Sequence, residues 1–279
     1  MIQTTPTRSQ TPVQHVVIVS FDGGKPSVMR SCKMPNMERV VREGAGTWAA
    51  RTVFPSITLL SHASMVTGVV PREHGLLWND WHPEKGYLKA PTIFKTAKAA
   101  DKKLTSGIFA GKEKFAHLME KGVLDAMTVT GGGAVVVADS AARFITRVKP
   151  NLTLVHFADP DSAGHSKGWG SPEQKAAFEH CDRALGILLD ALKKAGIADR
   201  SVVITSADHG GHAKTHGSAW EDDMNIPWWT AGATVRRGSV LKGPVRTIDT
   251  AATALWLLGV PVPKSMEGQP VREAFSGID

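Results

Sequence analysis

Residues 15–21 read HVVIVSF and run straight into Asp22-Gly23-Gly24. The apolar positions are consecutive rather than alternate, the mark of a strand buried on both faces. The same arrangement returns twice further along. NLTLVHF (151–157) leads into Ala158-Asp159-Pro160-Asp161, and SVVITS (201–206) leads into Ala207-Asp208-His209-Gly210. Helical spacing fills the intervals at 36–43, 58–67 (closed by Gly68), 92–103, 111–121, 134–148, 172–195 and 248–258, the last stopped by Gly259 and Pro261. Further strands are expected at 46–53, 104–109 and, briefly, 226–231. This alternation predicts an α/β fold with a mostly parallel central sheet and helices on both faces. Residues 15–279 form a single catalytic domain in this reading, after a flexible polar leader at 1–14, and 81–150 supplies substrate contacts.

Composition narrows the class. With 279 residues, 42% hydrophobic and 21% charged, the chain is ordinary globular material rather than disordered or fibrous. The longest apolar runs, VVIVSF and ALWLLGV, fall short of the roughly 18 residues of a membrane span. The 33 basic residues against 26 acidic give a net charge of +7, spread thinly without a basic run. That favours anionic small molecules over nucleic acid. Cys32 and Cys181 alone make neither a disulfide framework nor a cysteine zinc site. The leader lacks the apolar stretch of a signal peptide. A cytoplasmic protein is the default expectation, or an exported one if a leader was trimmed.

Three strand-end carboxylates, Asp22, Asp161 and Asp208, stand where open α/β sheets bind ligands. Asp161 and His165 are four apart, one helical turn, so both can grip one ion. Asp208-His209 adds an oxygen and a nitrogen donor, and His216 follows in a glycine-bearing loop. Taken singly, each of these reads as a turn or cap; their joint placement at strand ends points to metal. Mixed oxygen and nitrogen donors suit zinc, and six ligands suit two ions better than one. Thr58, at the first turn of a helix after Pro55, reads as an N-cap and, compatibly, as a nucleophile once a metal activates it. Ser56 is the competing hydroxyl, and His212 the substitute for His216.

FDGG (21–24), FPSITLLSHASMVTG (54–68), HGLLWND (74–80), DPDSAGH (159–165), SADHGGH (206–212) and KTHG (214–217) resemble, in order, the motifs of the alkaline-phosphatase superfamily. The branch they resemble most is the type I phosphodiesterase/nucleotide pyrophosphatase family. The resemblance implies two zinc ions, with manganese or another divalent ion as the alternative. Asp161, His165 and His216 would hold one, and Asp22, Asp208 and His209 the other, with the Thr58 oxygen on the second. It implies hydrolysis of phosphate diesters or pyrophosphate bonds through a phosphothreonine at Thr58, with Asn79 and the nucleophile's backbone N–H binding a phosphoryl oxygen. The expected partner is a small phosphoester, with neither specific nucleic acid nor membrane, and with the oligomeric state open. The chain is short for the family, so its insertions are reduced. Leu59 stands where nucleotide-cleaving members carry a base-stacking aromatic. The alternatives are a phosphomonoesterase, with Arg72 or Lys25 as an oxygen clamp, a phosphonate hydrolase, or an inactive protein that binds metal and phosphoesters. His62 and His74 read as structural, and His15, His82, His117, His156 and His180 as ordinary polar positions. Trp78, Trp81, Trp169, Trp228 and Trp229 are candidates to line a pocket.

Overall fold

The computed structural model describes residues 12–278, so most of the expected leader lies outside the described residues. Eight strands form one sheet: β1 His15–Phe21, β2 Ala45–Arg51, β3 Ser106–Ala110, β4 Ala126–Val129, β5 Leu152–Phe157, β6 Ser201–Ser206, β7 Asn225–Gly232 and β8 Ser239–Val240. Their order is β4-β3-β5-β1-β6-β7-β2-β8. Strands β4 to β6 of that order pair in parallel, while β7 runs antiparallel to both β6 and β2. The helices are α1 Pro26–Met29, α2 Pro35–Glu43, α3 Thr58–Thr67, α4 Pro71–His74, α5 Ile93–Ala100, α6 Gly133–Val148, α7 Asp159–Lys167, α8 Pro172–Lys194, α9 Glu221–Met224 and α10 Asp249–Leu257.

The apolar run of β1 is buried throughout, and its side chains divide between two cores. Val16 and Ile18 face one with Leu59, Ile93, Phe94 and Leu255; Val17, Val19 and Phe21 face the other with Val40, Val137, Phe178 and Leu185. Helices α3, α5 and α10 therefore cover one face, and α2, α6 and α8 the other. Burying a β1 side chain of this size contributes about 1.5–3 kcal/mol. The fold is the predicted one, with both faces of the sheet covered.

One local expectation is corrected, and two strands went unread. The segment 111–121 is not an α-helix but a 3₁₀ turn at Glu113–Leu118, so its side chains are aimed by a loop leaving β3. Strand β4, with all its residues half-buried, and the two-residue β8 carry too little apolar pattern to be read from sequence.

Candidate active site

The site lies beyond the carboxyl ends of β1, β5 and β6, three neighbours in the sheet. Asp22 leaves β1 with its N–H bonded to Phe157 O at 3.0 Å. Gly23 then turns with φ of 71°, a left-handed conformation that suits glycine, and donates its N–H to Asp208 Oδ1 at 3.1 Å. Asp208 and His209 leave β6, and like Asp22 both are fully buried. Gly211 is required next to them, since a Cβ there would meet the Trp169 ring at 2.1 Å.

Thr58 is the first residue of α3, not its cap. Ile57 holds the capping position in extended conformation, and no side chain caps the helix. The Thr58 hydroxyl instead reaches the site, with Oγ1 3.2 Å from His209 Nε2. Ser56 is buried and donates to Ser218 O at 2.8 Å. Asn79 reaches the start of α3 from a loop, its Oδ1 accepting from Leu59 N at 3.1 Å.

Three imidazoles share one arrangement. His165 Nδ1 lies 2.9 Å from Lys214 O, His209 Nδ1 2.8 Å from Gly210 O, and His216 Nδ1 2.8 Å from Ser56 O. A carbonyl only accepts, so each Nδ1 carries the proton and each Nε2 presents a lone pair. His165 Nε2 and His216 Nε2 lie 3.4 and 3.6 Å from Asp161 Oδ1. His209 Nε2 lies 3.4 Å from Asp22 Oδ1 and 3.2 Å from Asp208 Oδ2.

The carboxylates are arranged in a complementary way. One oxygen of each has a protein partner: Asp22 Oδ2 has His156 and Lys112, Asp161 Oδ2 has Lys112, and Asp208 Oδ1 has Gly23 N. The other oxygen of each, Asp22 Oδ1, Asp161 Oδ1 and Asp208 Oδ2, is buried without a hydrogen bond. Leaving a buried carboxylate oxygen unpaired is costly, and divalent cations would satisfy these three. The residues present therefore fit a metal centre. Two compact trios could each hold an ion, Asp22–Asp208–His209 and Asp161–His209–His216, with candidate ligand atoms within 4.8 Å of one another. His209 belongs to both, and His165 stands at the more exposed edge beside Asp161.

Electrostatics follow from burial and proximity. Burial pushes the Asp22 carboxyl up, yet Lys112, His156 and His209 together hold it well below the usual carboxylate range. Burial, reinforced by Asp22, pushes Asp208 well above it. Burial, with His216 beside it, lowers His209 to about 4. Burial opposes the Lys112 charge, but Asp22 and Asp161 hold its ammonium above the ordinary lysine value.

Three residues at the site were missed in the sequence. His156 is not an ordinary polar position: it is fully buried in β5, with Nε2 2.8 Å from Asp22 Oδ2. Lys112 bridges Asp22 and Asp161, with Nζ 2.6 Å from each carboxylate. Lys114 donates to Asn79 Oδ1 at 3.0 Å. The two lysines follow the end of β3, so the strand-end rule that singled out the aspartates would have found them had 111–121 not been read as a helix.

The remaining candidates separate cleanly. His212 turns from the ligand trios to Asp223, with Nδ1 2.7 Å from Oδ1. His62 meets Thr58 O and Ser20 Oγ and lies 3.5 Å from Asp208 Oδ2, and His74 meets Ser64 Oγ. Arg72 pairs with Glu73 on the surface and Lys25 with Asp222, so the cation that neighbours Asn79 is Lys114. Trp228 and Trp229 are core residues. Trp169 lies against His165 and His216, with Nε1 bonded to Gly23 O. Trp78 and Trp81 pack on His117.

Known proteins share this arrangement of chain. The rat (Rattus norvegicus) ectonucleotide pyrophosphatase/phosphodiesterase family member 7 is 26% identical over 225 residues, 72% of this chain and 51% of its own. A Xenopus laevis bis(5'-adenosyl)-triphosphatase is 26% identical over 224 residues, 74% of this chain and 48% of its own. The chain thus spans about half the length of the curated relatives it matches. In fold it is similar to murine ectonucleotide pyrophosphatase/phosphodiesterase 5, solved as an inactive threonine-to-alanine variant with AMP. That match has a TM-score of 0.80 and 16% identity, and covers 94% of this chain and 100% of the other. Residues 16–225 match the family model for type I phosphodiesterase / nucleotide pyrophosphatase. The chain belongs to the type I phosphodiesterase/nucleotide pyrophosphatase family.

Proposed function

We propose that this chain is a divalent-metal-dependent hydrolase of phosphate diesters or pyrophosphate bonds, with Thr58 as its nucleophile. The observation that carries the reading is the meeting of three orphaned carboxylate oxygens with the Nε2 atoms of His209 and His216, with the Thr58 hydroxyl 3.2 Å from His209 Nε2. Asp161, His165 and His216 would hold one ion, and Asp22, Asp208 and His209 the other, with Thr58 Oγ1 beside the second. Mixed carboxylate and imidazole donors suit zinc, with manganese as the alternative. When bound, such ions lower the pKa of a hydroxyl and offset charge on the reacting phosphoryl group.

The protein's own residues supply the rest. Thr58 Oγ attacks phosphorus in line with the departing oxygen; the Oγ–P bond forms as the bond to the leaving group breaks, and that group departs protonated. Water then attacks the phosphothreonine; its oxygen bonds phosphorus as the Thr58 Oγ–P bond breaks, the phosphate product leaves, and a proton from the water returns to Thr58 Oγ. The opening turn of α3 offers backbone N–H groups and the positive end of the helix dipole to a phosphoryl oxygen, and Asn79 adds a side-chain donor. Lys112 and His156 hold the outer oxygens of Asp22 and Asp161, leaving the inner ones aimed at the ions.

A relative named as a bis(5'-adenosyl)-triphosphatase supports the linkage class. It does not carry over a base-stacking platform. Leu59 is fully buried, so the position after Thr58 presents no surface to a nucleobase. The proposed substrate is therefore a small phosphoester defined by its phosphorus linkage.

Metal content of the purified protein, with hydrolysis of bis-p-nitrophenyl phosphate and p-nitrophenyl phosphate, tests this. The expected result is two ions per chain and faster diester turnover, abolished by chelation. Turnover indifferent to chelation would overturn the reading, and tight metal without turnover of any ester would leave a binding protein.

A further inference from the structure

Asn79 Oδ1 accepts two hydrogen bonds, from Leu59 N at 3.1 Å and from Lys114 Nζ at 3.0 Å. A primary amide can rotate by half a turn and exchange its oxygen with its nitrogen. Here that rotation would set the Nδ2 hydrogens against an ammonium and a backbone N–H, two donors with no acceptor between them. The Leu59 N–H alone would hold the amide by one neutral bond. The ammonium adds a charge-assisted bond, about twice as strong, and polarises the amide so that its N–H becomes a better donor.

Lys114 is placed for this by the turn Glu113–Leu118, which packs on α3. It is partly buried, with Lys112 two residues back bound to Asp22 and Asp161. The two lysines divide the labour: one faces the carboxylates, the other the amide.

We propose that Lys114 is a positioning residue that locks the Asn79 amide with Oδ1 toward α3, so that Nδ2 is the atom offered to the phosphoryl oxygen. This deepens the proposed function and rests on its reading of Asn79 as an oxygen-binding donor. Lys114 acts through Asn79 and not by contact with substrate.

A double-mutant cycle on the metal-loaded protein tests it. Lys114→Met and Lys114→Arg are made in the wild-type and Asn79→Ala backgrounds, with bis-p-nitrophenyl phosphate as substrate and vanadate binding measured by calorimetry as a readout independent of turnover. Lys114→Met should lower kcat about tenfold with KM within about twofold, and weaken vanadate by a similar factor. Lys114→Arg should recover most of the loss. In the Asn79→Ala background, Lys114→Met should change either quantity by less than about twofold. Equal effects in both backgrounds would overturn the proposal. So would a rise in KM confined to the dianionic p-nitrophenyl phosphate, which would make Lys114 a direct clamp on substrate charge. If Asn79→Ala by itself changes neither kcat nor vanadate affinity, the reading of Asn79 fails. An unchanged Lys114→Met with a damaged Asn79→Ala counts against Lys114 alone. Melting temperatures of all variants separate these outcomes from misfolding.

Discussion

The site has a floor and a rim, and they are built differently. The floor, Asp22, Asp208 and His209, hangs from the ends of neighbouring parallel strands and is fully buried. Asp22 is tied to β5 through its N–H to Phe157 O, and Asp208 is held by Gly23 N and Thr52 Oγ1. The rim, Asn79, Lys114, His165 and His216, comes from loops, a short turn and a helix face, and each member is held by a few side-chain bonds. The floor carries the charge that would hold metal. The rim adds His165 and His216, which with Asp161 would hold the other ion, and Asn79, which would meet substrate with Lys114 behind it.

If this division holds, substitutions should differ in kind between the two regions. The largest effect is expected where floor and rim touch, at Thr58. Thr58→Ala should lower turnover by roughly 10⁴-fold or more while both ions stay bound, as measured by steady-state kinetics with metal analysis. Asp208→Asn strikes the floor: it removes an anionic donor, so one ion should be lost together with most activity. Unchanged stoichiometry would remove Asp208 from the ligand set. Asn79→Ala strikes the rim and should cost about a hundredfold in kcat with metal content intact. A change confined to KM would leave Asn79 merely a binding contact.

Smaller effects are expected in the loop that carries His216. The buried Asp223 accepts from His212 Nδ1, Ser218 N and Ser218 Oγ at 2.7, 2.9 and 2.7 Å. Asp223→Ala leaves these donors without their acceptor, and should cost about 2–3 kcal/mol of stability, read by denaturant unfolding. Metal affinity should weaken with it, because His216 lies two residues from Ser218. The smallest effect at neutral pH is expected at His74, which burial lowers from 6.5 to about 4. Its Nδ1 accepts from Leu76 N at 3.2 Å, so the neutral form is the folded one. The unfolded chain binds this proton more readily; stability is complete above pH 6.5 and falls as pH drops toward 4. His74→Gln should flatten that part of the stability profile.

How much of this was legible follows the same division. The runs at 15–21 and 201–206 declare their strands because both faces are buried, and β1 and β6 match those limits. The strand-end aspartates could be read because the chain itself places them there. His156 could not: within LVHF it resembles a polar interruption, and only the pairing of β5 with β1 brings it to Asp22. Lys112 and Lys114 were hidden because 111–121 has helical spacing, whereas the chain forms only a 3₁₀ turn. The N-cap reading of Thr58 was sound local chemistry, but Ile57 takes that position, one residue earlier, and the Thr58 hydroxyl lies 3.2 Å from His209 Nε2. Local pattern names what strands and helices carry; partners brought in by sheet pairing or by loops need the tertiary structure.

The central claim is that the Thr58 hydroxyl, set among the strand-end ligands, takes up the phosphoryl group. Its most direct test is peptide mass spectrometry of metal-loaded protein quenched in acid during turnover of a phosphate diester. The expected result is a phosphoryl adduct on Thr58, absent from Thr58→Ala. An adduct on Ser56, or rapid turnover by Thr58→Ala with none, would contradict it.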